Sequence, residues 1–273
     1  MVNKIDLKIK KDMNISVVIR NKNQAPALSF LLKNLTNRYY TDFNEIIVVD
    51  NLSTDESETV AAHFGARFVT ITNFSFGGSA NVCASEAKND IIVIFSAHSY
   101  PVSTDFFKVI QNQFDQNPNL AGVRCLHQPN DYRNYINAIS ASVDPNKSGL
   151  IFAGSAFSKA VWEQHPFRED VATFEDKEWT KRVLKAGYDI EFAPVVFAYE
   201  IKRTPKQLFF RFRNDVVGNY QLWGEDVTFK SIFKSFLGSL WSSATSFFLS
   251  IKYTFLKLFF LLRFWSNKPK KME

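Results

Sequence analysis

Residues 15–19 read ISVVI, 46–49 IIVV, 68–71 FVTI and 91–95 IIVIF, and these four runs decide the fold. Each is short, rich in β-branched residues and largely apolar, the pattern of a strand covered by helices on both faces. Helical patterns lie between them at 26–35, 56–64 and 79–88, and Pro26 suits a first helical turn. Strand and helix alternate, which predicts a Rossmann-like α/β unit with a mostly parallel sheet flanked by helices.

Beyond Pro101 the pattern loosens. A helix is expected at 105–113 and a strand at 121–125. The polar stretch 128–147, rich in Asn, Asp and Tyr, reads as a long loop, and order returns at 150–153. Helices follow near 159–164 and 175–186, then a strand at 190–197. Ser53 and Glu56 stand at the spacing of a capping box for the second helix.

The chain has 273 residues, 46% hydrophobic and 22% charged, which excludes general disorder. Two cysteines, Cys83 and Cys125, are too few for a disulfide scaffold, and both are expected to be buried thiols. Lys4, Lys8, Lys10 and Lys11 precede a strand rather than the apolar segment of a signal peptide, so cytoplasmic residence is expected.

Net charge is +6 but unevenly placed. Residues 229–273 hold eight bases and one acid, a net of +7. The preceding 228 residues hold 25 bases and 26 acids, a net of −1. A neutral body gives no reason to expect nucleic acid. The tail also carries nine of the 28 phenylalanines. Residues 235–251 are uncharged, but seven of these seventeen are Ser or Thr, and 253–262 is only ten residues long with Lys257 inside it. Neither reaches the ~20 apolar residues of a bilayer span, so amphipathic helices lying on an anionic membrane surface are expected instead.

In open parallel sheets, ligands collect at the carboxyl ends of strands. No GxGxxG follows the first strand and no GxxxxGK[ST] occurs anywhere, which argues against dinucleotide dehydrogenases and P-loop NTPases. A nucleotidyltransferase would need a glycine-rich, arginine-bearing loop that the N-terminal region lacks.

ISVVIRNKNQ, EIIVVDNLSTDES, NFSFGGSANVCASEAKNDIIVIFSAHSYP and FEDKEWTKRVLKAGYDIEFAP together resemble the family 2, inverting, GT-A-fold glycosyltransferases in order, spacing and sheet position, over residues 14–200. The resemblance implies that Arg20, Asn23 and Asp50 surround the nucleotide, with Gly77 to Asn81 lining its diphosphate side. Ser96, Ala97 and His98 stand where most relatives carry an Asp-x-Asp that holds a divalent ion. With Ser99 they resemble the Ser-Ala-His-Ser variant of that motif. His98 can still ligate Mn²⁺ through a neutral imidazole, whereas Mg²⁺ prefers oxygen. Glu200, near where relatives often place a histidine, is either a further oxygen ligand or a surface acid. The resemblance makes Asp176 the general base and Glu175 its neighbour on the acceptor side.

The reading that follows has an N-terminal extension (1–13), a GT-A domain (14–204), a connecting segment (205–228) and a basic, aromatic helical tail (229–273). The expected partners are a UDP-, GDP- or dTDP-sugar donor, a lipid-linked or oligosaccharide acceptor and an anionic membrane surface. The expected setting is bacterial cell-surface polysaccharide assembly at the inner face of the membrane, with the leaving diphosphate met by a divalent ion or by Lys202, Arg203, Arg211 and Arg213. The alternative is a degenerate relative that binds a nucleotide sugar or scaffolds a membrane complex.

Overall fold

The computed structural model describes residues 14–272; the extension 1–13 lies outside the described residues. The chain divides into two compact units, Met1–Trp223 and Gly224–Glu273.

In the first unit the four deciding runs become β1 (Ile15–Asn21), β2 (Glu45–Asp50), β3 (Arg67–Thr70) and β4 (Ile91–Ser96). β1 pairs in parallel with β2 and β4, and β2 in parallel with β3. Between them run α1 (Ala25–Arg38), α2 (Ser57–His63) and α3 (Phe76–Glu86). The chain continues through β5 (Ser99–Pro101), α4 (Phe106–Gln116), β6 (Leu120–Leu126), α5 (Pro129–Ile136), β7 (Ser155–Ser158), α6 (Lys159–Gln164), α7 (Glu175–Lys185) and β8 (Asp189–Tyr199). One eight-stranded sheet results, in the order β3-β2-β1-β4-β7-β6-β8-β5. It is mixed: β7 runs antiparallel to β4 and β6, and β5 antiparallel to β8.

The runs of β1, β2 and β4 are buried because both faces are covered, whereas β3 at the edge of the sheet is only partly buried. Ile15, Val17 and Ile19 pack in one core with Leu28, Leu31 and Leu32 of α1. Val18 packs in the other, with Ala80 and Cys83 of α3 and Trp179 of α7. Cys83 and Cys125 are both buried free thiols, and burial pushes the Cys83 thiol up to about 12.

Three local expectations are corrected. The stretch 128–147 is not all loop, because α5 occupies its first third. Pro129 sits in its first turn, and the buried Asp131 carboxylate accepts from the Gln128 amide at 3.2 Å and from Arg124 Nη2 at 2.7 Å. Residues 150–153, where order is expected to return, have no helix or strand, and β7 follows them. Ser53 does not cap α2, since its hydroxyl is turned to Asp50, and Asp55 accepts from the Ser57 amide at 3.1 Å instead.

Residues 205–223, expected only to connect, form α8 (Pro205–Trp223), which belongs to the first unit. In the second unit the tail is one unbroken helix, α9 (Phe229–Ser266), of 38 residues. By length and composition α9 is sufficient to cross a membrane. The stretches 235–251 and 253–262, each too short to do so alone, are joined in this one helix. α9 is consistent with membrane association.

Candidate active site at the carboxyl end of the sheet

The carboxyl ends of β1, β2 and β4 and the start of α7 supply the polar groups. Asp50, buried at the end of β2, accepts from Asn21 Nδ2 at 2.7 Å, from Ser53 Oγ at 2.6 Å and from the Ser53 amide at 2.7 Å. Asn23, at φ 49°, accepts from the Thr54 amide at 2.7 Å and donates its own amide to Ser53 Oγ at 2.7 Å. The loops after β1 and β2 are thereby knotted together, and the carboxylate that shapes this rim is held by three donors. Asn21, which the sequence reading missed, is buried, and its Oδ1 has no partner among the described residues.

Arg20 reaches from β1 to α7. Its Nη1 lies 3.2 Å from Glu175 Oε1 and donates to Ser79 Oγ at 3.3 Å, while Nη2 donates to the Phe152 carbonyl at 3.1 Å. The guanidinium also lies over the Phe152 ring, 3.9 Å from its centroid. Glu175 is buried, which pushes its carboxyl up to about 7; neighbouring Asp176 adds to the rise and Arg20 opposes it.

Asp176 is set by the same residue. The Phe152 amide donates to its Oδ2 at 2.9 Å, and the Lys177 amide donates to its Oδ1 at 2.8 Å. Lys177 Nζ donates to the Leu150 carbonyl at 2.7 Å, and Thr180 Oγ1 accepts from the Leu150 amide at 3.0 Å. The segment before β7 is therefore strapped along one face of α7. Burial lowers the Lys177 ammonium to about 8. Phe174, just before this turn, is left-handed at φ 66°, a strain that packing must hold. Phe152 had no polar signal in the sequence, yet it joins Arg20 to Asp176 through its carbonyl and amide.

After β4, the Ser96 amide donates to Ser99 Oγ at 2.9 Å and the Ala97 amide to the Arg20 carbonyl at 3.0 Å. His98 Nδ1 lies 2.8 Å from Gln24 Oε1. Because that oxygen only accepts, Nδ1 carries the proton and Nε2 keeps a lone pair. Nε2 is buried without a partner among the described residues. Burial, with Arg203 and Arg20 adding to it, lowers the imidazole to about 4, so His98 is neutral at physiological pH. Its ring meets Tyr199 edge-on, with centroids 4.7 Å apart.

No group of three His, Cys, Asp or Glu side chains stands together among the described residues. His98 offers one nitrogen, and Glu200 Oε1 already accepts from Tyr100 Oη at 2.6 Å. One imidazole nitrogen does not fit the oxygen-rich shell that Mg²⁺ requires and fills a single position around Mn²⁺.

Gly77 and Asn81 are turned to a different task. A Cβ on Gly77 would lie 2.0 Å from the Arg168 carbonyl oxygen. Asn81 donates to the Phe167 carbonyl at 2.9 Å and accepts from the Phe167 amide at 2.9 Å and from Trp162 Nε1 at 3.0 Å. Both hold α3 against the 162–169 segment; the link from α3 to the Arg20 cluster is Ser79.

Residues 16–172 match the family described as Glycosyl transferase family 2. That is more than half of the chain, and the chain belongs to this family. No curated protein matches the sequence. Among solved structures, a mannosyltransferase from Pyrobaculum calidifontis in complex with GDP-Man and Mn²⁺ is similar at TM-score 0.63 and 19% identity over 79% of this chain. The match spans 65% of that mannosyltransferase chain. Glucosyl-3-phosphoglycerate synthase from Mycobacterium tuberculosis, in complex with Mn²⁺, UDP and glucosyl-3-phosphoglycerate, is similar at TM-score 0.59 and 16% identity, covering 80% of this chain and 82% of that one. At these identities the likeness is one of fold. The family match ends before Asp176, so the part played by that residue rests on geometry and motif.

Proposed function

We propose that this protein is an inverting glycosyltransferase that moves a sugar from a UDP-, GDP- or dTDP-sugar to a hydroxyl of a lipid-linked or glycan acceptor in cell-surface polysaccharide assembly. The observation that carries the proposal is the orientation of Asp176 in the first turn of α7, fixed by the Phe152 amide and within the network of Arg20 and Glu175. Each of its oxygens accepts one backbone hydrogen bond and keeps a lone pair.

In a nucleotide sugar the leaving diphosphate is already attached to the anomeric carbon. Asp176 takes the proton of the incoming hydroxyl as that oxygen attacks from the face opposite the nucleotide, so the new bond forms with inverted configuration. Asn21, Asn23 and Asp50 at the ends of β1 and β2 form the nucleotide rim. Negative charge on the departing diphosphate is met by basic side chains, of which Arg203 is near enough to depress the His98 imidazole.

The basic aromatic α9 holds the enzyme peripherally on the inner leaflet, where lipid-linked acceptors are presented. What supports an interfacial position rather than a span is the seven Ser and Thr within 235–251 and the lysines at 252 and 257.

A second reading is favoured by the missing acidic pair at 96–98: a relative that binds nucleotide sugars without transferring them. Incubating the full chain with UDP-, GDP- and dTDP-sugars, with and without Mn²⁺, decides between them. Transfer or slow hydrolysis of one donor supports the enzyme; tight donor binding with no turnover under any condition supports the binding protein.

A further inference from the structure

The two halves of α8 differ in kind. Its C-terminal half is locked to the segment that leads into α7. A Cβ on the buried Gly218 would lie 2.7 Å from Phe174 Cδ2 and 2.8 Å from Thr173 Cγ2. Gln221 Oε1 accepts from the Ala172 amide at 3.0 Å, and Lys181 Nζ donates to the Leu222 carbonyl at 2.9 Å. This packing holds the left-handed Phe174 and with it the first turn that carries Asp176.

Along its N-terminal half only Phe210 lines a cleft in the body. Every residue from Thr204 to Arg213 is exposed, including Leu208, Phe209, Phe210 and Phe212 at 53%, 62%, 55% and 60%. Lys206, Arg211 and Arg213 fall in the same stretch, with Lys202 just before it, and residues 201–214 contain no acid. Four large apolar side chains more than half exposed to water forgo hydrophobic burial. The core of a protein interface is depleted of charge, whereas aromatic and aliphatic side chains interleaved with lysine and arginine match the boundary of an anionic bilayer, where long basic side chains extend to the headgroups.

We propose that the first half of α8 is a bilayer-docking surface of the catalytic body itself, separate from α9, and that its occupant is the anionic phospholipid surface. The inference deepens the membrane part of the proposed function and rests on it. Because one continuous helix joins this surface to Phe174, docking sets the height of Asp176 above the lipid. Phe210 also lines a cleft of about 330 Å³ together with Phe74, Phe76 and residues 169–172.

The test uses the full chain carrying Phe209→Cys, labelled with an environment-sensitive fluorophore; native Cys83 and Cys125 are buried and do not react. Phe212→Cys is a second reporter on α8 and Phe248→Cys a reporter on α9. The probes used are phosphatidylcholine vesicles with and without phosphatidylglycerol. The expected result is a severalfold, blue-shifted rise at 209 and 212 on the anionic vesicles, reversed by salt and quenched by brominated acyl chains. A rise at 248 with none at 209 or 212 overturns the α8 surface and leaves the tail reading intact. A rise at 209 and 212 without one at 248 supports the α8 surface and removes the tail. No rise at any position overturns both. A rise that needs no vesicles and grows with protein concentration shows that the face meets a second copy, and overturns the proposal.

Discussion

Arg20 Nη1 lies 3.2 Å from Glu175 Oε1, which ties the end of the first strand to the first turn of a helix 155 residues later in the chain. Glu175 is almost wholly buried, and Arg20 is the cation beside it. Removing Arg20 leaves that carboxyl without its partner and frees the Phe152 carbonyl. Burial already raises that carboxyl to about 7, so without Arg20 it takes up a proton, and the cost is that of unsatisfied buried polar groups, about 1–3 kcal/mol. Arg20→Ala is therefore expected to lower the urea midpoint strongly. Adding Glu175→Gln to it restores part of the loss, because a neutral amide needs neither a counter-charge nor a proton. Equal, additive losses in the two single variants and the double variant contradict this coupling.

Gly77 separates two explanations of the Gly-Gly turn at the start of α3. If its role is close packing on the Arg168 carbonyl, Gly77→Ala drives a methyl group into backbone and costs about 1–3 kcal/mol in chemical denaturation. A variant of unchanged stability that has lost donor affinity points to the diphosphate instead.

Much of this fold was legible because the central strands are buried on both faces. ISVVI and IIVIF cannot be half-exposed strands, and the helices between them follow from the need to cover them. The edge elements were not legible. β5 is three residues long and exists through its pairing with Tyr199, Ala198 and Phe197, and α5 is held by a buried Arg124–Asp131 pair within a stretch whose composition reads as loop. At the site, Arg20, Asp50, His98 and Asp176 stood out by motif, but what orients them did not. Phe152 acts through its amide and carbonyl, which any residue carries, and Gln24 matters only because the fold sets it 2.8 Å from His98. Asn81 was singled out by motif, yet its amide is spent on Phe167, Trp162 and Glu169.

His98 makes stability depend on pH. Its imidazole titrates at about 4 in the folded protein, against 6.5 for the free group. Between those values the unfolded chain binds more protons, so stability rises with pH across the window and is lost as pH falls from 6.5 toward 4. Urea midpoints measured at steps from neutral pH downward are expected to fall more steeply for the native chain than for His98→Gln, which has no such group. Parallel curves for the two proteins would refute a buried neutral imidazole.

The central claim, that the Asp176 carboxylate takes the acceptor proton, is tested most directly by the turnover of Asp176→Asn with the donor identified in the transfer screen. An amide oxygen can still accept from the Phe152 N–H, so the fold and donor affinity, read by thermal shift and calorimetry, are expected to persist. The transfer rate is expected to fall ~10²- to 10⁴-fold, the loss typical of a missing general base. A variant that keeps its rate within about tenfold of the native enzyme, below that range, would contradict the account.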